Sequence, residues 1–228
     1  MSDGLIGIVR LTLLIGGVAT LVTLPIAFAL AWLLARGRFP GKVLLDGIVH
    51  LPLVVPPVVT GWILLLAFAP AGVLGAPLER WFGGSVLFRW TGAAIAAGVM
   101  ALPLMVRAIR LSIEAVDRRL EQAASTLGAG RWRVFATITL PLAAPGVAAG
   151  AVLGFARSIG EFGATITFVS NVPGETQTLP LAIYAALQRP GGEAEVWRLA
   201  AVSVALSLIA LIVSEALVRR AGRGVHVL

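Results

Sequence analysis

Arg157 and Glu161 stand four residues apart in "GFARSIGEFGATITF", Gly154 to Phe168, a stretch with no other charge. On a continuous helix that spacing puts guanidinium and carboxylate on one face, where they can pair. The chemistry open to such a pair is electrostatic. It gates or lines a pathway, or it fixes helix packing as an internal ion pair. Thr165 and Thr167 add hydroxyls to the same stretch. Pro56 and Pro57, in "HLPLVVPPVVTG", remove backbone donors and oppose regular helix, so the freed carbonyls need partners in a protein interior or a wet cavity. That segment is read either as a kinked packing helix or as a pathway lining, and these two threonines and two prolines join Arg157 and Glu161 as pathway candidates. Other reactive groups are scarce: the chain has two histidines, His50 and His226, and no cysteine. His50 reads as interfacial, and two distant histidines argue against a histidine metal site. No nucleophile and base cluster together, so no catalytic residue is expected.

The elements that must position these groups are apolar. Of 228 residues, 58% are hydrophobic and 13% charged, with a mean hydropathy of +0.96. A soluble domain of this size could not keep so much apolar surface from water, so the chain reads as an all-α membrane protein. Five uncharged runs approach or reach the roughly 20 residues needed to cross a bilayer core: Leu11–Ala35, Leu51–Pro70, Trp90–Val106, Val134–Ala156 and Leu199–Ser214. Two shorter pieces, Phe162–Gly174 and Thr176–Gln188, have the length of re-entrant or interfacial segments, and the first could also lengthen the fourth helix. Five spans are expected, or six if such a piece crosses. No long polar linker divides residues 1–228, which read as one transmembrane domain, and no internal repeat of the inverted-repeat carriers is present. The stretch Met1–Arg10 carries Asp3 and lacks the basic n-region of a signal segment, and the first run is too long for one, so it counts as a span.

The net charge of +7 could suggest nucleic acid, but its placement points to topology. Twelve of the 18 basic residues fall in alternate connections: Arg36, Arg38 and Lys42, then Arg107 through Arg133, then Arg219, Arg220 and Arg223. By the positive-inside bias these connections are cytoplasmic, which puts the N-terminus outside and the C-terminus inside.

The longest of these connections holds "EQAASTLGAGRWRVFATITLPLAAPGV", Glu121 to Val147. Leu120, Ala123, Ala124 and Leu127 follow the i, i+3, i+4, i+7 pattern of an amphipathic helix. Asp117 is its expected N-cap, Glu121 suits the first turn, and Gly128 or Gly130 should end it. By pattern alone this is a basic connector resting on anionic lipid, or a docking element.

The longer spacing distinguishes the two. Gln122-Ala123-Ala124, three residues, Gly128, nine residues, then Ile138-Thr139-Leu140-Pro141 resembles the "EAA" loop of ABC importer permeases: E-A-A, three, G, nine, I-x-L-P. The match departs at one position, where Gln122 stands in place of the usual Glu, with Glu121 immediately before it. In that family the element is the coupling helix, residues 117–133 here, which docks on a separate ATPase subunit. The resemblance implies ATPase-coupling roles for Glu121, Gln122, Ala123, Ala124, Leu127 and Gly128. Its span arrangement covers roughly residues 5 to 220.

"GEFGA" after the fourth span and "NVPGETQTLPLAIYAALQ" before the last are similar to the sulfate and molybdate/tungstate branch, most of all its molybdate-type permeases. This implies a type I importer fold in a bacterial or archaeal cytoplasmic membrane. The implied partners are an ATPase dimer, a second copy of the chain and an external oxyanion-binding protein. ATP would be bound by the partner, and no G-x-x-x-x-G-K-[ST] loop occurs in this chain. Arg157, if paired with Glu161, loses much of its pull on an anion and is not assigned as a substrate ligand. Two other readings remain beside this one. A secondary carrier would use Arg157 and Glu161 without any ATPase, and a membrane enzyme would need a convergence of polar groups that the sequence lacks.

Overall fold

The computed structural model describes residues 2–223; His226 lies outside them, and the side chains of Arg219, Arg220 and Arg223 are not described. The architecture is helical throughout. Helix α1 spans Ser2–Arg36, α2 Lys42–Val54, α3 Pro57–Phe68, α4 Gly75–Phe82, α5 Trp90–Ala115 and α6 Arg118–Thr126. Then come α7 (Arg131–Val134), a π-helical turn (Phe135–Thr139), α8 (Leu140–Ile159), α9 (Gly163–Val169), α10 (Leu179–Leu187) and α11 (Glu193–Arg223). Four described helices are long and apolar enough to cross a membrane: α1, α5, the continuous Arg131–Ile159 helix and α11; a fifth is counted if the bent pair α2–α3 is one span. The two short apolar pieces hold α9 and α10, of seven and nine residues, neither long enough to cross.

The second apolar run, expected as one span over Leu51–Pro70, is a sharply bent pair of helices. Its helix starts earlier, at Lys42 after left-handed Gly41, and breaks at Val55–Pro56, where α2 and α3 meet at 115°. The consecutive prolines cause the break. Each residue preceding a proline is driven out of the helical region, and Val55 (ψ 135°) and Pro56 (ψ 135°) both obey. Pro57 then opens α3 at a position where its missing N–H costs nothing. Pro52 is accommodated inside α2.

Helix α5 is the centre, flanked by α1 and α8. It can be central because it is lined with small residues: Gly92, Ala93, Ala94, Ala96, Ala97, Gly98 and Ala101 are all buried. Across from it, α8 presents Gly146, Gly150 and Gly154, spaced four apart. A Cβ at each would collide in turn with Ser112, Ile109 and Met105 of α5. This is close backbone packing of the small-xxx-small kind, which membrane helices need because lipid gives them little hydrophobic drive to associate. Two buried clusters result. Ile15, Ala19, Ala97, Met100 and Phe168 join α1, α5 and α9, while Ala31, Leu34, Val49, Met105, Ile109 and Ala143 join α1, α2, α5 and α8. Helix α11 packs at the periphery, against α8 and α10. Its Val204, Leu208, Ile209 and Ile212 stay exposed, a face suited to lipid or another subunit.

Candidate functional site

Helix α6 forms where the sequence places it. The Asp117 carboxylate accepts from the Arg119 amide at 2.9 Å, capping the first turn. At the other end Gly128 adopts φ +86°. Its amide donates to the Ser125 carbonyl (3.1 Å) and the Ala129 amide to the Ala124 carbonyl (3.0 Å), the paired bonds of a Schellman stop. Gly128, not Gly130, therefore ends the helix. Its Cβ position meets nothing within 4 Å of the same chain, so within the chain glycine is required for its backbone angle, not for close packing.

The faces of α6 depart from the expected amphipathic pattern. Only Ala124 turns partly inward; Leu120, Ala123 and Leu127 are exposed, Leu127 at 88%. Gln122 is exposed as well. The inward contact is made by a charge. One oxygen of Glu121, Oε1, accepts from Arg36 Nη2 of α1 at 3.0 Å and from the Thr139 hydroxyl at 2.7 Å. Arg36 and Glu121 side chains are 14% and 22% exposed. Below this pair, Trp32 and Phe28 of α1 pack on Phe135, with Trp32 edge-on at 4.9 Å between centroids. Neither Arg36 nor Thr139 was marked as part of a site by the sequence; Arg36 lies 85 residues from Glu121, and no spacing rule reaches that far.

Ile138 and Thr139 lie in the π-helical turn, and Leu140 and Pro141 open α8. The Leu140 amide reaches back five residues to the Phe135 carbonyl, the π register. Pro141 has no N–H to offer the preceding turn, which accounts for the widened ladder at this point. The I-x-L-P segment is thus a built-in irregularity just beyond α6, and π-turns recur at functional positions.

The pathway candidates gather at a second place. Arg157 Nη1 and Glu161 Oε2 are 2.7 Å apart, with side chains 27% and 2% exposed. The pairing expected from the four-residue spacing forms, but not on a continuous helix. Helix α8 ends at Ile159 with Gly160 as its cap, and Glu161 sits in the elbow before α9. There its second oxygen accepts the Ala164 amide at 2.7 Å, satisfying an orphan donor of α9. The proline break lies against the same elbow: a Cβ at Gly163 would meet Pro57, and one at Gly61 would collide with the Ala164 carbonyl. Pro56 and Pro57 are exposed. Thr165 is buried, and the Thr167 hydroxyl donates to its own helix at the Gly163 carbonyl (3.0 Å).

A third charge cluster escaped the sequence reading. Asp46 and His50 of α2 are four apart, as are Arg110 and Glu114 of α5, and both spacings were available to find it. Arg110 bridges Asp46 (3.1 Å) and Glu114 (2.8 Å), and His50 Nδ1 lies 3.2 Å from the Asp46 carboxylate. His50 is thus tied to α2 itself and to α5 through Asp46.

Comparison with known proteins bears on the family and the fold. The family model described as "Binding-protein-dependent transport system inner membrane component" matches residues 23–223. The Escherichia coli (strain K12) molybdenum transport system permease protein ModB is 58% identical over 219 residues, covering 94% of this chain and 96% of its own length. The E. coli sulfate transport system permease protein CysT is 36% identical, covering 95% of this chain and 77% of its own length. Among solved structures, a bacterial alginate ABC transporter in complex with an alginate-pentasaccharide-bound periplasmic protein aligns with a TM-score of 0.74 at 21% identity, over 94% of this chain and 78% of that one. The fold is that of an ABC importer permease, and the chain belongs to the family of binding-protein-dependent transport system inner membrane components.

Proposed function

We propose that this chain is the membrane-spanning permease of an ATP-driven importer that carries molybdate into the cytoplasm by alternating access. The observation that carries the reading is helix α6: it is capped at both ends and pinned to α1 through Glu121, yet leaves Leu120, Ala123 and Leu127 uncovered. A helix with its apolar positions turned outward, at a Gly-stopped end, is built to be covered by another protein. The covering partner is a separate cytoplasmic ATPase, which binds and hydrolyses ATP; this chain supplies no catalytic group. Two copies enclose the pathway, an external binding protein delivers the oxyanion, and the bare face of α11 meets lipid or a neighbouring subunit. The basic connections set the N-terminus outside and the C-terminus in the cytoplasm of a bacterial or archaeal cell. Molybdate is preferred over sulfate because the molybdenum relative is 58% identical over almost its whole length and the sulfate relative 36% over 77% of its length.

The test is labelled molybdate uptake in vesicles holding this chain with its ATPase and binding protein, with sulfate as competitor. Uptake that requires ATP and resists excess sulfate is expected. Full competition by sulfate would move the substrate assignment to the sulfate branch, and uptake without any ATPase would replace the importer by an ion-coupled carrier.

A further inference from the structure

Phe28, Trp32 and Arg36 recur every four residues on α1, so they form one stripe along a single helical face. Two of them touch the segment between the docking helix and α8, and the third touches the docking helix itself. Phe28 and Trp32 hold Phe135, at the start of the π-turn; Arg36 holds Glu121 in α6, and Glu121 in turn holds Thr139, at the end of the π-turn. Among the described residues Glu121 is the acid that pairs with Arg36, and Arg36 Nε is buried with no partner there, so within that part of the chain its charge leans on Glu121. Displacing α6 therefore either drags the end of α1 along or leaves a largely buried guanidinium uncompensated, which is the costly alternative. The π-turn is the one irregular stretch in the otherwise continuous Arg131–Ile159 helix, and so the place where that helix can change register.

We propose that this stripe of α1, through the Arg36–Glu121–Thr139 contact, is the lever that converts movement of the docking helix into movement of the first span, with Phe135–Thr139 as its hinge. Arg36, Glu121 and Thr139 are positioning residues: they act through one another, with no role assigned to them toward ATP or the oxyanion. The proposal rests on the importer reading above and adds to it a route through α1, which carries none of the loop pattern.

The experiment measures molybdate taken up per ATP hydrolysed in vesicles containing the full complex, for Arg36→Glu, Glu121→Arg and the double reversal, with complex assembly checked by co-purification. Each single reversal should assemble but lower uptake per ATP about fivefold or more, the lower end of ordinary coupling energies, and the double reversal should recover most of the loss. Singles that transport with the normal ratio would overturn the lever, as would a double reversal no better than the worse single. Should the reversals fail to accumulate, Thr139→Val carries the test, since it deletes one donor to Glu121 and leaves the ion pair; a normal ratio there overturns the proposal too. A wild-type complex with no ATP-dependent uptake would sink the importer reading instead.

Discussion

Glu121 and Glu161 solve the same problem in opposite ways. Each is a carboxylate that pairs with an arginine and takes a second hydrogen bond, from the Thr139 hydroxyl in one case and the Ala164 amide in the other. Glu161 does so locally: its arginine is four residues away, its side chain is 2% exposed, and the bonds close an elbow between α8 and α9. Glu121 does so at long range, joining α6 to α1 across 85 residues of sequence with its side chain 22% exposed. A charge buried in an elbow holds a shape, whereas a charge bridging two elements at the protein edge links their movements. Stability and transport should therefore separate when each is removed.

The largest expected effect is on stability at the elbow. Glu161→Leu strips Arg157 of its partner and α9 of a capping acceptor, a loss of about 3 kcal/mol or more in the range for broken buried pairs. The Tm of the purified complex should fall clearly, and Arg157→Met with Glu161→Leu should be less damaged than Glu161→Leu alone. A double variant as damaged as the single would mean that the carboxylate acts through Ala164, not through the ion pair. Glu121→Ala leaves the largely buried Arg36 guanidinium without its partner but uncaps no helix, so it should cost somewhat less, about 1.5–3 kcal/mol for a lost charge-assisted bond, while reducing uptake per ATP more than Glu161 variants that still assemble. An equal loss of Tm at the two sites would erase the contrast between them.

Gly128 sharpens the comparison from the docking side. At φ +86° a leucine is strained by roughly 1–2 kcal/mol, and asparagine by less. Gly128→Leu should leave membrane insertion intact but uncouple ATP hydrolysis from uptake, and Gly128→Asn should keep more of the coupling. Normal coupled transport in the leucine variant would remove the docking assignment. If asparagine fails as badly as leucine, the glycine serves close approach by the partner instead of its backbone angle. The smallest effect is expected from Gln122→Glu, which restores the residue usual in the loop: at an exposed position, it should shift stability by no more than the few tenths of a kcal/mol typical of surface changes. A change in uptake per ATP with Tm unmoved would report on the partner's surface.

Much of this arrangement was readable from local chemistry. Asp117 and Gly128 bracket α6 because capping depends on one or two residues, and the apolar runs mark the long helices because the bilayer demands length. The failures are also physical. Pro56 and Pro57 were read as disturbing one span, but two consecutive prolines hold two successive residues extended, and that turns the chain by 115°. Arg157 and Glu161 met the helical spacing, yet Gly160 ends α8 between them, so the same contact forms around a corner. The apolar pattern of α6 correctly marked a helix but not which way it faces, because orientation was decided by Arg36, a residue that local pattern counts only as a topological charge. Long-range pairing leaves no periodicity to read.

The glycines Gly16 and Gly17 are chemically identical neighbours, and in composition they count the same. A Cβ at Gly16 would strike Ile159 of α8, whereas one at Gly17 would meet nothing within 4 Å. In a library carrying every single substitution, selected for growth on scarce molybdate, these adjacent positions should part company. Alanine should be depleted at Gly16, as at Gly146, Gly150 and Gly154, and recovered freely at Gly17. Mutational tolerance would then trace the α1–α8 and α5–α8 seams glycine by glycine.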